Sequence, residues 1–471
     1  MKKLFIAASA LSALFAASCS KQQDVELKKE LIPGTASTPD TLVGDITVNT
    51  TVTKTTYLKG IVYVKPGATL TVNPGVTIIG SAGAATPDLL NLANNKGVLV
   101  VEKGGKLVAN GTPSSPIVWT SSKAAGQRNF GDWGGIVIFG QAPIITRTGA
   151  ATNIYEAFDA INDPKNYYGG TNPSDNSGSM TYNRIEFAGG TVLAANKEVN
   201  GLTLCGVGSG TVINHVQVAH SGDDAFEFFG GTVNASHLLA FGSKDDDFDF
   251  DEAYSGRLQF IIAYRTDLAD NSGSEMIELD NNATTTVFNN TRTNPLIVNA
   301  TLIGPASTTV RSGVTGSFDG GVYVRKQGRI ALANSLIIAQ ALPVALGTTA
   351  TTNASFVNPS DPVPSFVRNN IFQTSSANPV VIDSDESNPI IGTADNALIA
   401  VLANSTNQNG ALPNFAAFKL DGGLKPTAGS PALSGGLNVS SFGFVGTTVR
   451  GAVLPTDPWT TTGSWISIAA N

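Results

Sequence analysis

The segment from 213 to 267 repeats itself every 22 residues, and the match holds position by position. Phe226 and Phe228 recur as Phe248 and Phe250, with one acidic residue inside each pair. Such alternation is typical of strands, whereas helical repeats show apolar spacings of three and four. A coil of this length buries its apolar side chains only by stacking on the next coil, so the repeat predicts a parallel β-helix. The other equivalent positions are His215, His237 and Gln259, and Asp223, Asp245 and Asp267.

A second periodic signal is an asparagine followed by apolar residues two and four positions later. It is clearest at Asn183, Asn214 and Asn334, and looser copies begin at Asn299 and Asn369. Asparagine tolerates the left-handed backbone conformation that tight corners need, and its side chain can hydrogen-bond to nearby backbone groups. We therefore expect a ladder of asparagines at one corner of the stacked coils.

The repeats divide the chain into one long solenoid and short flanking segments. Two stretches inside the solenoid are too polar and glycine-rich to be coils, and they are interpreted as loop insertions. The predicted segments are a signal at 1–18, a linker at 19–45, the β-helix at 46–440 with insertions near 80–96 and 142–180, and a closing segment at 441–471. The closing segment, with Arg450, Trp459 and Trp465, is expected to cap the open end of the stack.

The amino terminus has the pattern of a lipoprotein signal. Lys2 and Lys3 precede an apolar run at 4–17, and small residues lead up to Cys19. The run is shorter than the roughly 20 apolar residues of a membrane-spanning helix. The pattern predicts cleavage before Cys19 and a lipid on that cysteine, with a plain secretory signal as the alternative.

The net charge limits the classes of binding partner, and the cysteine content limits the possible disulfides. Loss of Lys2 and Lys3 with the signal makes the mature chain more acidic than the formal charge of −7 of the whole sequence. This charge disfavours nucleic acid and anionic lipid as partners. If Cys19 carries a lipid, Cys205 is the only thiol left, so no intramolecular disulfide can form.

The whole chain resembles a family of Bacteroidota surface lipoproteins with a pectate-lyase-like, right-handed parallel β-helix. The resemblance rests on the signal, the Gly-Asp-Trp-Gly-Gly motif at 131–135, the double-aspartate coils, the Leu424–Leu433 segment and the tryptophan-containing tail. It implies an all-β fold, a lipid-anchored position on the outer membrane facing outward, and outer-membrane transport proteins as partners. It implies no particular reaction.

An acidic column is the strongest candidate site. Aligning the coils places Glu227, Asp249 and Glu278 above one another, because inward-facing apolar residues flank each of them. Their side chains should point outward and stack at the strand spacing of roughly 4.8 Å. The same face should carry Asp247, Asp251 and Asp280, and the preceding turns Asp223, Asp224, Asp245 and Asp246.

Carboxylates this close need a counter-charge, because they repel one another by about 1 kcal/mol per pair even in bulk water. Calcium could supply it, since this ion takes six to eight oxygen ligands. Arg325 and Lys326 of a later coil could instead pair with the face directly, and an ordinary solvated acidic face is the third interpretation. The predicted metal ligands are Glu227, Asp249, Glu278 and Asp280.

Two catalytic interpretations use the same face. A calcium-dependent lyase needs a base, for which Arg325 or Lys326 is the candidate. A hydrolase uses paired carboxylates, and Asp223 and Asp224 after a glycine are similar to the motif of polygalacturonase-type hydrolases. The Gly-His-Gly and Arg-Ile-Lys motifs of those hydrolases are absent from the sequence. His220, shortly before the pair, is a further candidate for this site.

Aromatic residues and histidines give weaker hints. Tyr323 could stack on a sugar ring, as could Tyr254 and Tyr264. His215 and His237 lie one coil apart, but no third ligand continues their column, so structural roles are favoured over a transition-metal site.

Together these patterns predict a surface-displayed, lipid-anchored β-helix that binds an extracellular ligand, preferably a glycan, on an acidic and calcium-assisted face. The alternatives are a polysaccharide lyase or glycoside hydrolase on the same face, and a structural or adhesive stalk; binding is favoured over turnover. The predicted ligand-binding residues are Asp223, Asp224, Glu227, Asp247, Asp249, Asp251, Glu278, Asp280 and Tyr323. The predicted catalytic residues of an enzyme are Arg325, Lys326, Asp223, Asp224 and His220.

Overall fold

Short strands rich in valine, isoleucine, leucine and phenylalanine make up most of the fold, and nearly all of them pair in parallel. Such side chains fit a pleated, half-buried surface. The structure is a computed structural model that describes residues 40–468, apart from 85, 147, 195–196, 266–272, 282–291, 306–317, 326–327, 339–343, 348–365, 374–379 and 384–408. The predicted signal, the lipidation of Cys19 and any role of Lys326 lie outside the described residues.

The first fifteen strands are β1 (Asp40–Ile46), β2 (Thr50–Val52), β3 (Thr56–Val64), β4 (Thr69–Val72), β5 (Thr77–Gly80), β6 (Val98–Val101), β7 (Lys106–Asn110), β8 (Ile117–Ser121), β9 (Gly135–Phe139), β10 (Asn153–Ile154), β11 (Tyr167–Tyr168), β12 (Gly178–Glu186), β13 (Thr191–Ala194), β14 (Lys197–Glu198) and β15 (Leu202–Cys205). The later strands are β16 (Val212–Ala219), β17 (Phe226–Phe229), β18 (Asn234–Phe241), β19 (Phe248–Asp251), β20 (Arg257–Tyr264), β21 (Ser274–Leu279), β22 (Leu296–Ile303), β23 (Phe318–Val324), β24 (Ala331–Ala333), β25 (Leu336–Ile338), β26 (Val344–Gly347), β27 (Phe366–Arg368), β28 (Ile371–Gln373), β29 (Val380–Asp383) and β30 (Gly410–Leu412).

Short 3₁₀ helices connect some of these strands. They are Leu92–Asn94, Glu156–Ile161, Pro164–Asn166, Phe415–Phe418, Pro431–Leu433, Ser440–Phe442 and Trp459–Thr461. In the described part of the chain, none of the helices has the length and apolar character of a membrane-spanning segment.

The strands lie in three parallel stacks, which form the sides of a solenoid. The first stack, which carries the acidic column, contains β3, β6, β9, β15, β17, β19, β21, β23, β26 and β29. The second contains β2, β4, β7, β12, β16, β18, β20, β22, β24 and β27. The third contains β1, β3, β5, β8, β12, β16, β18, β20, β22, β25, β28 and β30, because long strands turn a corner and serve two stacks. The predicted all-β fold with a parallel β-helix is confirmed.

The core is a continuous apolar cluster that runs through the coils. Phe226 stacks on Phe248 with 5.0 Å between ring centroids, and Phe228 stacks on Phe250 at 4.9 Å. All four side chains are fully buried. Stacked aromatic pairs add roughly 0.5–1.5 kcal/mol each to the effect of burial alone. The repeat in the sequence therefore corresponds to the contacts that stabilise successive coils.

The step from the second copy of the repeat to the third is 23 residues, one more than the step from the first copy to the second. β18 pairs Ser236 with Gln259, so Gln259 does not continue the column of His237. The predicted equivalence of these two residues is wrong. The extra residue lies in the turn between β19 and β20, where Glu252 and Ala253 both have positive φ.

A column of residues with left-handed backbone marks the corner between the second and third stacks. Its members, with φ between 51° and 61°, are Tyr182, His215, His237, Phe260, Asn299, Asn334 and Asn369. The predicted asparagine ladder is confirmed for the last three of these coils. It is wrong for Asn183 and Asn214, because each lies one residue away from the corner, beside the aromatic residue that occupies it.

The closing segment lies along this corner, on the side of the solenoid. Side-chain amides on three coils exchange paired hydrogen bonds of 2.6–2.9 Å with the backbone of this segment and of the residues that lead directly into it: Asn334 with Leu437, Gln259 with Val445, and Gln217 with Ser467. Because later residues of the segment contact earlier coils, the segment returns toward the amino-terminal coils. The expectation of an end cap is wrong, since the corner amides offer the segment backbone partners along the side.

The two histidines of the corner column are packed under this segment. The rings of His215 and His237 stack with 4.2 Å between centroids, and Trp459 packs edge-on against both. Nε2 of His237 lies 3.2 Å from Asp457. Burial lowers the pKa of both histidines, that of His215 to about 3. This packing agrees with the structural role favoured from the sequence.

Residues 142–146 and 148–172 form a cover over the first stack, and we call the segment 142–172 the roof. The roof contains the antiparallel pair of β10 and β11 and two of the 3₁₀ helices. Its buried residues Tyr155, Phe158 and Tyr168 pack against Phe139 and Phe229 of the first stack. The outer face of the first stack is therefore partly covered.

Candidate functional site

The acidic column exists in the first stack with the register expected from the sequence. Glu227 of β17 pairs with Asp249 of β19, and Asp249 pairs with Glu278 of β21. The neighbouring phenylalanines point into the core, so the carboxylates lie on the outer face. Glu227 is nevertheless only 5% exposed and Glu278 only 7%. The carboxylates therefore face a partly covered space and not open solvent.

That space is a cleft between the column and the roof. A cavity of about 650 Å³ is lined by Glu227, Asp249, Asp251, Glu252, Asp280 and Arg325 of the coils, and by Thr146, Thr148, Asn153, Glu156 and Tyr168 of the roof, among others. A second cavity of about 370 Å³ is lined by Asn200, Asp223, Asp224, Asp245 and Asp246, among others. Both cavities are lined by Glu156, Glu227, Asp249 and Arg325, so together they form one acidic cleft.

Glu252 attaches the roof to the coils. The Tyr168 hydroxyl donates a hydrogen bond of 2.8 Å to one of its carboxylate oxygens, and the Asn153 amide donates one of 2.7 Å to the other. The backbone N–H of Ile145 donates to the Glu252 carbonyl at 3.0 Å. The roof thus has a fixed attachment beside the cleft.

Carboxylate oxygens crowd in the cleft. Three sets each bring one oxygen per residue within 4.8 Å of the others: Asp223, Asp224 and Asp245; Asp224, Glu227 and Asp249; and Asp246, Glu275 and Glu278. Burial, and then repulsion between neighbouring carboxylates, raises the pKa of several of these groups well above the usual range. These groups are Asp223, Asp224, Glu227, Asp246 and Asp249.

Two arginines neutralise only part of this charge. Arg325 pairs with Glu278, and its Nε lies 3.2 Å from Asp280. Arg265, which the sequence did not single out, forms a buried ion pair of 2.9 Å with Asp247. Among the described residues, no lysine or arginine forms an ion pair with the second carboxylate set, Asp224, Glu227 and Asp249. Direct pairing with arginine therefore balances the charge only at the Glu278 end of the column.

The family model described as a pectate-lyase-like β-helix domain matches residues 44–377, which is more than half of the chain. The chain belongs to the pectate-lyase-like β-helix family. No curated protein and no solved structure matches the chain. Membership in the pectate-lyase-like β-helix family confirms the expected fold resemblance and does not by itself define a reaction.

The predicted catalytic residues do not all lie in the cleft. Asp223 and Asp224 line the cleft. Arg325 also lies there, and its ion pairs with Glu278 and Asp280 disfavour a proton-accepting role. Burial alone would lower its pKa, yet Glu278 and Asp280 raise it above the ordinary arginine value, so the guanidinium stays charged.

The prediction that His220 joins the acidic site is wrong. Its ring stacks on Phe187 with 5.2 Å between centroids and contacts Phe130 and Phe241 edge-on. It lines neither cavity of the cleft. The aromatic side chains around it bury the ring outside the first stack.

Two predicted ligand-binding residues are unavailable to a ligand. Asp247 is fully buried in its pair with Arg265, because it lies in the turn before β19, where strand alternation does not apply. Tyr323 pairs with Glu278 in the column but is only 2% exposed, so it cannot stack on a sugar ring. Tyr254 is likewise buried in the core, and its hydroxyl donates to the Val233 carbonyl at 2.7 Å.

The remaining predicted residues line the cleft, but the predicted metal set does not stay together. Glu227 and Asp249 join Asp224, whereas Glu278 joins Asp246 and Glu275. Asp280 pairs with Arg325 and belongs to none of the three sets found in the described part of the chain. All donor atoms are oxygens, which suit hard cations such as calcium better than zinc or copper.

Three of the cleft residues that sequence reasoning missed contribute to the acidic site or to the attachment of the roof. Asn200 donates a hydrogen bond to Glu227, Glu156 faces the column from the roof, and Glu252 holds the roof in place. All three lie in segments between the repeated strands. No periodic signal in the sequence could have placed them.

Proposed function

We propose that this protein binds an extracellular glycan in the acidic cleft, with the help of a calcium ion held by carboxylates of the first stack. We further propose that it does so at the cell surface, anchored in the outer membrane through a lipid on Cys19. The observation that carries the proposal is the set of Asp224, Glu227 and Asp249, which lines the cleft and forms no ion pair within the described chain.

A cation is the simplest way to balance this set. Calcium takes six to eight oxygens, so three carboxylates leave coordination positions open. A carboxylate or hydroxyl of a glycan can fill those positions. The charged Arg325 in the cleft wall adds a second group that favours an acidic sugar. The proposed ligand class is therefore a glycan that carries carboxylates.

Binding is favoured over lyase chemistry. A lyase needs a base beside the sugar, and Arg325 is held in its charged form by Glu278 and Asp280. Hydrolysis is the second candidate, because Asp223 and Asp224 lie close to Asp245 in the cleft and have raised pKa values. A carboxyl that keeps its proton near neutral pH can act as a general acid.

The anchoring part of the proposal rests on the sequence before residue 40. Outer-membrane transport proteins are the proposed neighbours, on the strength of the family resemblance alone. Replacement of Cys19 by serine should abolish incorporation of labelled fatty acid and release the chain from membranes. Retained labelling in Cys19→Ser would contradict the anchor without affecting the cleft.

The glycan proposal is tested by titration calorimetry with polygalacturonate as the acidic probe and dextran as the neutral one. We expect binding of polygalacturonate in calcium, weaker binding in EDTA and no binding of dextran. Asp249→Asn should reduce binding at least about tenfold, as expected for loss of a cation ligand. Asp159→Asn, an exposed change in the roof, should not.

Product assays on the same samples separate binding from turnover. New reducing ends that disappear in Asp224→Asn would establish hydrolysis, and unsaturated product would establish a lyase. Equal binding of both polymers, or none in either buffer, would contradict glycan capture and favour a structural stalk.

A further inference from the structure

We propose that one divalent cation of the calcium type contacts both the coils and the roof, and thereby fastens the roof over the cleft. Asn200 and Glu156, which lie outside the repeats, complete its ligand set. The other ligands come from the carboxylate set of Asp224, Glu227 and Asp249. This inference rests on the calcium ion of the proposed function and extends it to the stability of the roof.

Asn200 supplies the observation that points to a ligand. Its side chain is only 3% exposed and lines the second cavity together with Asp224 and Glu227. Its amide N–H donates to Glu227, while its Oδ1 is buried and has no hydrogen-bond partner among the described residues. A buried polar atom left without a partner costs about 1–3 kcal/mol. Amide oxygens are ordinary calcium ligands, so a cation beside Glu227 would satisfy this atom.

Asp249 supplies a second buried oxygen atom that lacks a hydrogen-bond partner among the described residues. Its Oδ1 is also buried without a hydrogen-bond partner in the described chain. It belongs to the carboxylate set with Asp224 and Glu227, and it lines both cavities. Two acceptor atoms without donors therefore belong to residues that line one cavity, and both are suited to a positive ion.

Glu156 brings the roof into the site. It begins the helix Glu156–Ile161, is exposed, and lines both cavities. After burial, which is the main cause, its charge contributes to the raised pKa of Glu227. Its neighbours Tyr155 and Phe158 are buried against the first stack, so the backbone of Glu156 is held in place.

Like charges therefore face each other across the boundary between roof and coils. Without a cation, this repulsion opposes the closed position of the roof. With a cation, the same carboxylates attract one ion from both sides. Since the roof covers the glycan cleft, binding of the ion would stabilise the cover over the cleft.

The test measures calcium binding by calorimetry and terbium binding by luminescence on the full mature chain. Glu156→Gln and Asn200→Leu should each weaken binding by about tenfold or more, the loss typical of a disturbed metal site. Asn200→Asp keeps an oxygen at the position and should retain binding. Asp159→Asn is the matched control, because Asp159 lies in the same helix but pairs with Lys197 outside the cleft.

Hydrogen exchange of the roof amides gives the second readout. Calcium should slow exchange over 142–172 by about tenfold in the wild type and in Asp159→Asn, and leave it unchanged in Glu156→Gln. Wild-type calcium affinity in Glu156→Gln, or calcium binding without protection of the roof, would overturn the inference while leaving the calcium site intact. If the wild type binds neither calcium nor terbium, both this inference and the calcium ion of the proposed function are wrong. Binding of the glycan in EDTA then shows whether the glycan proposal holds without a cation.

Discussion

Replacement of Asp249 by asparagine should stabilise the protein in EDTA and destabilise it in calcium. Asp249 lies in the middle of the acidic column, between Glu227 and Glu278. Without a cation, its charge is repelled by the neighbouring carboxylates of Asp224 and Glu227, which form no ion pair within the described chain. With a cation, the same carboxylate becomes a ligand whose loss weakens binding to the folded state.

The magnitude follows from the distances. One oxygen of Asp249 lies within 4.8 Å of oxygens of Asp224 and Glu227. Two unit charges at that distance repel by about 0.9 kcal/mol in water, and by about 3.5 kcal/mol at an effective dielectric constant of 20. Proton uptake limits this cost, because burial and the neighbouring charges raise the pKa of all three groups. We expect a gain of about 1–3 kcal/mol for Asp249→Asn in EDTA at neutral pH.

Asp247→Asn is the matched comparison, only two residues away. Asp247 is fully buried and pairs with Arg265. Removal of one partner from a buried ion pair costs about 3–5 kcal/mol. This variant should therefore be destabilised by a similar amount in EDTA and in calcium.

Denaturant unfolding followed by circular dichroism, in EDTA and in millimolar calcium, gives the free energies. Asp249→Asn should exceed the wild type in EDTA and fall below it in calcium. If Asp249→Asn loses stability in EDTA as Asp247→Asn does, the carboxylates are balanced by something other than a cation, and the reasoning fails.

Further predictions concern pH, the corner and the closing segment. The raised carboxyl pKa values mean that the folded state binds more protons than the unfolded state, so in EDTA stability should fall as pH rises above about 4. Calcium should flatten this slope in a series of thermal melts at different pH values. His215, with its pKa lowered to about 3, acts in the opposite sense and should cost stability as pH falls below about 6.5. Asn334→Ala loses two hydrogen bonds to Leu437 and places alanine at positive φ, so the free energy of unfolding should fall by about 2–4 kcal/mol. Asn334→Gly should recover the part of this loss that comes from the backbone conformation, and equal losses in the two variants would contradict the role of φ. Trp465→Ala should lower the free energy of unfolding by about 3–5 kcal/mol and let a protease remove the closing segment before it cleaves the coils. Cleavage of the segment and the coils at the same time would contradict a closing segment that binds to the side of the solenoid as a separate unit.

The parallel β-helix could be predicted because its stabilising contacts are periodic. Phe226 over Phe248 is both a sequence repeat and a packed pair. The path of the closing segment could not be predicted, because its hydrogen bonds to Gln217 and Asn334 join residues far apart in the chain without any shared period. One extra residue in the turn after Asp251 was enough to shift the alignment of the corner column.

In the candidate site, too, the residues on repeated strands could be predicted and the others could not. Strand alternation correctly placed Glu227, Asp249 and Glu278 in one column. It could not show that the roof covers them, since the roof is an insertion with its own packing. Asn200 and Glu156 depend on that packing and so carry no signal of their own in the sequence. Alternation also failed for Asp247, which precedes its strand by one residue.

The central claim is that the acidic cleft holds a divalent cation and, through it, an acidic glycan. The most direct measurement is a crystal structure with calcium and an oligogalacturonate, with terbium exchanged for calcium to give an anomalous signal. We predict an anomalous peak among Asp224, Glu227 and Asp249, with a sugar carboxylate bound to the ion beneath the roof. A cleft without a peak, with the sugar bound elsewhere on the solenoid, would contradict the account.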